Sequence, residues 1–174
     1  MHWLFETAYS IRCNPDSIDR ELFEADNMLN EALILSAAME KITDDLIIIE
    51  EIITDRLRCY IEQLAIYTRL LKNAYGTPSF DAISLKQEEY CKLYMYNHSE
   101  TENNEIQQSQ YQLIIMAYQS LAANYFRRGG MGKDKSLCQQ AVMYLEEAME
   151  LTKGDKVYDI LKANKHRILL AVNI

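Results

Sequence analysis

Apolar residues recur along this chain at alternating intervals of three and four, which is the spacing of one face of an α-helix. Asn-Pro, Gly-Thr-Pro, Gly-Gly, Lys-Gly and one strongly polar segment interrupt the pattern. The pattern therefore predicts seven helices separated by short connections. We expect them at about 2–13, 17–41, 44–75, 80–97, 104–128, 134–152 and 155–172.

The third predicted helix is the most apolar one. Thr43 is placed to cap it, and Asp44 and Asp45 are favourable at its positive end. Ile47–Ile49 and Ile52 make its first half apolar nearly all round. A helix that is apolar on every side is usually buried, so this half is predicted to be central in the fold.

Turn-forming residues are scarce. The chain has 174 residues, of which 5 are Gly and 2 are Pro. Sandwiches, barrels and α/β sheets need many more turns, so an all-α fold is predicted. The length and the 49% apolar content fit one globular domain over 1–174.

The charge and the cysteines bear on partners and location. A formal charge of −8 disfavours nucleic acid and anionic membrane surfaces as partners. The longest unbroken apolar run, Leu46–Ile49, is too short to span a bilayer. Cys13, Cys59, Cys91 and Cys138 are spaced singly, which predicts buried thiols in a reducing, cytoplasmic compartment.

Candidate catalytic chemistry is weak throughout. His2, His98 and His166 are scattered, and no histidine has the glutamate or cysteine spacing of a metal site. The glycine-rich 129–133 segment lacks the outer glycine and the Ser or Thr of a phosphate loop. We therefore expect no catalytic residues, no metal and no cofactor.

An internal repeat appears when Leu4–Leu35 is aligned without gaps against Ser120–Leu151. The matching residues are a tyrosine and an arginine near the end of one helix and an Ala/Leu stripe on the next. The pairs are Tyr9/Tyr125, Arg12/Arg128, Ala25/Ala141, Leu29/Leu145, Glu31/Glu147, Ala32/Ala148 and Leu35/Leu151. Any two amphipathic helices share some Ala and Leu, but the equal distance between tyrosine and stripe favours a true repeat.

The motif Leu121-Ala122-x-x-Tyr125, preceded by Tyr118 and followed by Ala141-x-x-x-Leu145-x-x-Ala148, resembles a tetratricopeptide repeat. The resemblance covers the last third well and residues 2–38 more weakly. It departs from the family in the 15 residues between Tyr125 and Ala141, where the family has about eight. The chain is therefore described as TPR-like.

This resemblance implies a right-handed solenoid of three helical hairpins, about 2–41, 44–97 and 104–153, closed by a helix at 155–172. It also implies a groove lined by the first helix of each hairpin. The groove residues implied in this way are Trp3, Thr7, Ser10 and Ile11 in the first unit, and Gln119, Ala123, Phe126 and Arg127 in the last. Gln119 and Ala123 do not match the residues with which the family's chaperone-tail binders clamp a terminal carboxylate, so a chaperone cofactor of that kind is not expected. A groove with both aromatic and basic residues fits an acidic, apolar peptide better.

Arg127, Arg128, Lys133 and Lys135 form a basic cluster in an otherwise acidic chain. Two interpretations stay open at this point. Cations at a helix C-terminus complement the helix dipole, and they also recognise acidic peptides or phosphate. Arg128 and Lys133 are therefore included among the candidate partner-binding residues.

Both ends of the chain are apolar. The solenoid would need polar caps, yet the chain starts almost at once with His2-Trp3-Leu4-Phe5 and stops at Ile-Leu-Leu-Ala-Val-Asn-Ile, residues 168–174. One end is therefore predicted to pack on another copy, on a partner, or on a further part of a longer chain.

The leading hypothesis is an adaptor that binds a peptide segment or a partner protein in a helical groove and performs no catalysis. The alternative is a regulatory or sensor domain that binds a small ligand or peptide and changes its oligomeric state. An enzyme whose cluster forms only in three dimensions ranks third.

Overall fold

The structure, a computed structural model, describes residues 1–96 and 102–172. The predicted all-α fold with seven helices is confirmed, and no strand occurs in this part of the chain. His98, one of the three histidines, lies outside the described residues. The helices are α1 (His2–Cys13), α2 (Asp19–Glu40), α3 (Leu46–Ala74), α4 (Phe80–Met95), α5 (Asn104–Arg128), α6 (Lys135–Leu151) and α7 (Lys156–Val172).

Backbone proximity divides the chain into two compact units. The first comprises Met1–Asn73 and Asn97–Leu113, and the second comprises Ala74–Tyr96 and Ile114–Ile174. The division therefore falls at the end of α3 and inside α5. The single-domain organisation and the solenoid arrangement stay predictions.

The core of the first unit forms where α1 and α3 meet the inner stripe of α2. Leu22 is buried, and so are Ala25, Leu29 and Ala32 of the aligned Ala/Leu stripe, whereas Leu35 at the end of that stripe is 43% exposed. Alanine at two of these positions lets the neighbouring helix approach closely, and leucine fills the remaining space. The internal periodicity of α2 therefore sets which of its faces is buried.

One arginine of α3 holds the connection between α1 and α2. The Arg69 guanidinium donates four hydrogen bonds to backbone carbonyls of this connection, because its fork of N–H groups reaches several acceptors at once. The acceptors are the carbonyl oxygens of Arg12 at 2.9 Å, Asn14 at 2.7 Å, Pro15 at 2.8 Å and Ser17 at 2.8 Å. A positive group therefore satisfies carbonyls at and beyond the C-terminus of α1.

Buried polar side chains join the same helices. The Asp26 carboxylate of α2 accepts hydrogen bonds from Gln63 Nε2 at 2.8 Å and from the Tyr67 hydroxyl at 3.2 Å. Glu62 of α3 pairs with Arg12 of α1. No buried side-chain nitrogen or oxygen in the described ranges lacks a hydrogen-bond partner. These bonds fix the rotation of each helix, which apolar contacts alone do not specify.

The first turns of α3 differ from the prediction. Asp45, not Thr43, caps the helix, because its Oδ1 accepts from Ile47 N at 2.9 Å. The prediction of a central first half is wrong at Leu46, Ile47 and Ile48, which are 75%, 72% and 40% exposed. Only Ile52 of the predicted group is fully buried.

The exposure of these turns follows from the unequal lengths of α2 and α3 beyond their contact. Arg56 of α3 donates to Ser36 Oγ at 3.2 Å and to Glu40 at 2.6 Å, so this part of α3 lies beside the last turns of α2. From Arg56 back to Leu46, α3 continues for ten residues, which is about 15 Å of helix. After Ser36, α2 continues for only four residues, which is about 6 Å. The start of α3 therefore extends beyond the end of α2.

The thiols follow the prediction at three of four positions. Cys59, Cys91 and Cys138 are buried, and all four cysteines are free. Cys13 is exposed, so the prediction of burial is wrong there. Cys13 is the last residue of α1, outside the face that Ala8 buries against the rest of the unit.

The thiols should react very unequally. Burial raises the pKa of Cys59 and of Cys91 to about 12, so neither forms the reactive thiolate at neutral pH. In a titration with Ellman's reagent, we expect Cys13 alone to react in the native protein and all four thiols to react in denaturant. A Cys13→Ser variant should lose the rapid reaction of the native protein with the reagent. Two rapidly reacting thiols in the native wild type would contradict the burial of Cys59, Cys91 and Cys138.

Replacing Arg69 with alanine should destabilise the first unit. It leaves four carbonyls without their cationic donor, which we expect to cost about 2–3 kcal/mol in the free energy of unfolding. Urea unfolding followed by far-UV circular dichroism measures this change. Arg58→Ala is the matched control, since Arg58 lies on the same helix, is 57% exposed and pairs with Asp55 on the surface of that helix. It should change stability by less than ~0.5 kcal/mol. Equal effects of the two substitutions would show that the carbonyl contacts contribute little.

Candidate functional site

A pocket in the second unit lies between α5 and α7, with α6 as its third wall. Four of its residues on α5 were predicted from the sequence, namely Gln119, Ala123, Phe126 and Arg127, which recur at helical spacing on one face. The cavity volume is about 330 Å³. The lining residues are Gln119, Ala122, Ala123, Phe126 and Arg127 of α5, Leu145 of α6, and Asn164, Arg167 and Ile168 of α7.

Local sequence explains how both helices present this lining. On α7, Asn164, Arg167 and Ile168 are three and four residues apart, so they share one face. Ala122 and Ala123 on α5 have short side chains, which leave room for the cavity beside the larger Phe126. The result is an apolar wall with four polar side chains at its margin.

Two arginines give the pocket its positive charge. Arg127 is half-buried and Arg167 is exposed, and no carboxylate in the described part of the chain pairs with either. Burial lowers the pKa of Arg127, with Tyr75 opposing this in part, yet an arginine stays charged at physiological pH. A partly desolvated guanidinium without a counterion is a favourable place for an anion to bind.

A buried amide fixes the opposite face of α5 against α4. Asn124 is fully buried and donates to the Ser84 carbonyl at 2.8 Å and to Gln87 Oε1 at 3.0 Å. In return, the Ser84 hydroxyl donates to Asn124 Oδ1 at 2.8 Å. Because these bonds hold α5 in one rotation, they also direct the face with Phe126 and Arg127 to the pocket.

Glu88 of α4 accepts three more bonds on that side of α5. They come from the Tyr125 hydroxyl at 2.7 Å, Arg128 Nη1 at 2.6 Å and Lys92 Nζ at 2.5 Å. Burial alone would raise the pKa of Glu88, but the hydrogen bonds from Lys92 and Tyr125 and the nearby positive charges outweigh it and lower the pKa. Arg128 is thus held by Glu88, away from the pocket that Arg127 lines.

The rest of the basic cluster surrounds the turn between α5 and α6. A shallow depression of about 550 Å³ there is lined by Arg128, Gly129, Gly130, Lys133, Asp134 and Lys135. Asp134 caps α6 by accepting from Ser136 N at 2.9 Å and Leu137 N at 3.1 Å. Gly132 has a φ of 118°, and a Cβ there would lie 2.6 Å from the Ala171 oxygen, so this turn requires glycine.

The sequence-predicted partner-binding residues therefore fall into three places. Gln119, Phe126 and Arg127 line one pocket, and Arg128 and Lys133 line the neighbouring depression. Trp3 and Thr7 belong to α1 in the first unit. Trp3 is 70% exposed, and its carbonyl accepts from Thr7 Oγ1 at 2.9 Å.

Sequence reasoning missed Asn164 and Arg167. The last helix was predicted only as the helix at 155–172 that closes the solenoid. The sequence did carry a signal for these two residues. Arg167 precedes the buried Ile168 and follows Asn164 by three residues, so a cation and an amide lie at the border of the apolar face of α7.

The aligned repeat residues share local geometry. Arg12 lies 5.1 Å from the ring centroid of Tyr9, and Arg128 lies 5.2 Å from that of Tyr125. Each arginine also pairs with a glutamate of another helix, Glu62 or Glu88. The environments differ in burial, since Tyr9 is 44% exposed and Tyr125 only 8%.

The described residues have neither a metal-binding cluster nor a membrane-spanning helix. Among residues 1–96 and 102–172, no group of three or more His, Cys, Asp or Glu side chains is arranged to hold a metal ion. None of the helices, over those ranges, has the length and apolar character needed to cross a bilayer.

No protein-family model matches the sequence, and no curated protein or solved structure matches it either.

The lowered pKa of Glu88 predicts a pH-dependent contribution to stability. Such a group stabilises the fold above its unfolded pKa, about 4.3, and loses this effect as the pH falls through the lower folded pKa. Wild type should therefore be more stable than Glu88→Gln at neutral pH, and the difference should shrink below about pH 4.3.

Urea unfolding across this pH range measures the difference. Glu89→Gln is the control, because Glu89 is 66% exposed and pairs with Lys86 on the surface. A constant difference between wild type and Glu88→Gln down to acidic pH would contradict the ion-pair assignment.

Proposed function

We propose that this protein is an interaction module that binds an acidic, apolar peptide segment of a partner protein in the α5–α7 pocket and performs no catalysis. The observation that carries the proposal is the pair Arg127 and Arg167, which line an apolar cavity without a carboxylate partner in the described residues. The predicted residues Gln119 and Phe126 line the same cavity.

The chemistry of the lining fits such a segment. A guanidinium binds a carboxylate through two parallel hydrogen bonds, and this interaction is strongest where water is partly excluded. Phe126 and the alanines of α5 offer an apolar surface for a large side chain. Gln119 and Asn164 carry amides that both donate and accept, as an extended peptide backbone requires.

The resemblance to tetratricopeptide repeats supports the same proposal, since the first helices of such repeats line a peptide groove. Within the proposal the chain is a TPR-like adaptor of the cytoplasm. Arg128 and Lys133 are further candidate partner-binding residues beside the pocket, and Trp3 and Thr7 are candidate partner-binding residues of the first unit. Arg128 and Lys133 would favour an acidic partner through long-range attraction rather than through the pocket itself.

Reversing the charge of the pocket should abolish binding of an acidic peptide. The probe is a fluorescein-labelled peptide of alternating acidic and large apolar residues, and fluorescence anisotropy measures its affinity. We expect Arg127→Glu/Arg167→Glu to weaken binding at least about tenfold, because each charge-assisted hydrogen bond contributes ~1.5–3 kcal/mol. Binding to wild type should also weaken as salt is added.

Lys156→Glu/Lys162→Glu is the matched control. It changes the net charge equally, and both lysines are exposed on α7 outside the pocket lining. The control should keep nearly wild-type affinity. Equal losses in both double variants would show that overall charge, not the pocket, governs the interaction.

The sensor alternative rests on the size of the cavity. About 330 Å³ lies within the range of small-molecule sites, and two arginines would suit a small polyanion. The discriminating experiment is thermal unfolding with citrate or inorganic phosphate. A rise in the melting temperature that Arg127→Glu/Arg167→Glu removes, accompanied by a change in sedimentation, would favour the sensor over the adaptor.

A further inference from the structure

A second surface lies in the first unit, at the connection between α2 and α3. Five large apolar side chains are exposed there, which we name the α2–α3 end: Met39 at 41%, Ile42 at 85%, Leu46 at 75%, Ile47 at 72% and Ile48 at 40%. Single exposed apolar residues are ordinary, but a cluster within ten residues of chain marks an interaction surface.

The short connection between α2 and α3 brings these side chains close together. Ile42 N donates to the Met39 carbonyl at 3.1 Å, which places the two residues in one tight turn. Leu46, Ile47 and Ile48 form the first turn of α3, held by the Asp45 cap. Because α3 extends beyond α2 here, this turn is exposed on several sides.

The border of the α2–α3 end is acidic. Residues 39–51 contain five carboxylates and one lysine. Glu40 pairs with Arg56, and Glu50 accepts a hydrogen bond from Asn103. The other three carboxylates are exposed, and no cation within the described residues pairs with them. They belong to Asp44, Asp45 and Glu51.

We propose that the α2–α3 end docks a cationic amphipathic helix of a partner protein. The apolar face of that helix would cover Ile42, Leu46 and Ile47, and its lysines or arginines would meet the acidic border. A second copy of this chain is the poorer occupant, because a two-fold contact brings the same patch of both copies together and so opposes their carboxylates. The inference is independent of the α5–α7 pocket, whose charge has the opposite sign.

The test uses two labelled model helices of 18 residues, one built of Leu and Lys and the other of Leu and Glu. We expect wild type to bind the Leu/Lys helix in fluorescence anisotropy and to ignore the Leu/Glu helix. Ile42→Ser/Ile47→Ser should bind the Leu/Lys helix at least tenfold more weakly. Both residues are largely exposed, so the variant should keep the wild-type circular dichroism.

Two further variants separate the apolar from the ionic contribution. Leu85→Ser/Leu93→Ser removes two exposed leucines from α4, at 57% and 55%, and should leave the affinity unchanged. Asp44→Lys/Glu51→Lys should weaken binding and reduce its dependence on salt. Arg127→Glu/Arg167→Glu should not weaken binding, which separates this surface from the proposed peptide pocket.

Two results would overturn the proposal. Equal affinity of the α2–α3 variant and the α4 control would show that the Leu/Lys helix binds an acidic protein without regard to this surface. A dimer in sedimentation velocity that Ile42→Ser/Ile47→Ser abolishes would assign the surface to a second copy instead.

Discussion

The first unit depends on the Arg69 guanidinium. Helix α1 buries Ala8 completely and leaves its larger apolar side chains Leu4, Phe5 and Ile11 half-buried, so polar contacts supplement its apolar ones. Arg69 binds four carbonyls at and after the C-terminus of α1, and Arg12 adds an ion pair to Glu62 on the same helix α3. Since carbonyls at a helix end need partners, one cation both satisfies them and fixes the path of the chain into α2.

Polar contacts have the same role in the second unit. Asn124 and the Glu88 cluster bind α5 to α4 through bonds that require one rotation of the helix. The alanines of α5 and α6 allow close approach but would tolerate other rotations. The orientation of Phe126 and Arg127 is thus set by buried hydrogen bonds on the far side of α5, which links the core of the unit to its pocket.

Two surfaces of opposite charge suit a protein that joins other proteins. The α5–α7 pocket is apolar with arginines at its margin, and the α2–α3 end is apolar with carboxylates around it. Under the two proposals, each surface selects a different partner by charge and gains affinity from apolar burial. A chain of net charge −8 presents a positive pocket because its fold brings Arg127 and Arg167 together.

The sequence alone determined the helices, since the spacing of apolar residues and the Gly and Pro breaks are local signals that specify where each helix begins and ends. It also placed Gln119, Phe126 and Arg127 on one face of α5. Tertiary structure decided which partner each face meets. It brought Arg167 of α7 to the pocket, held Arg128 at Glu88, and left the apolar start of α3 exposed where α2 ends earlier. These outcomes depend on contacts between residues distant in sequence and on relative helix lengths, which periodicity does not encode.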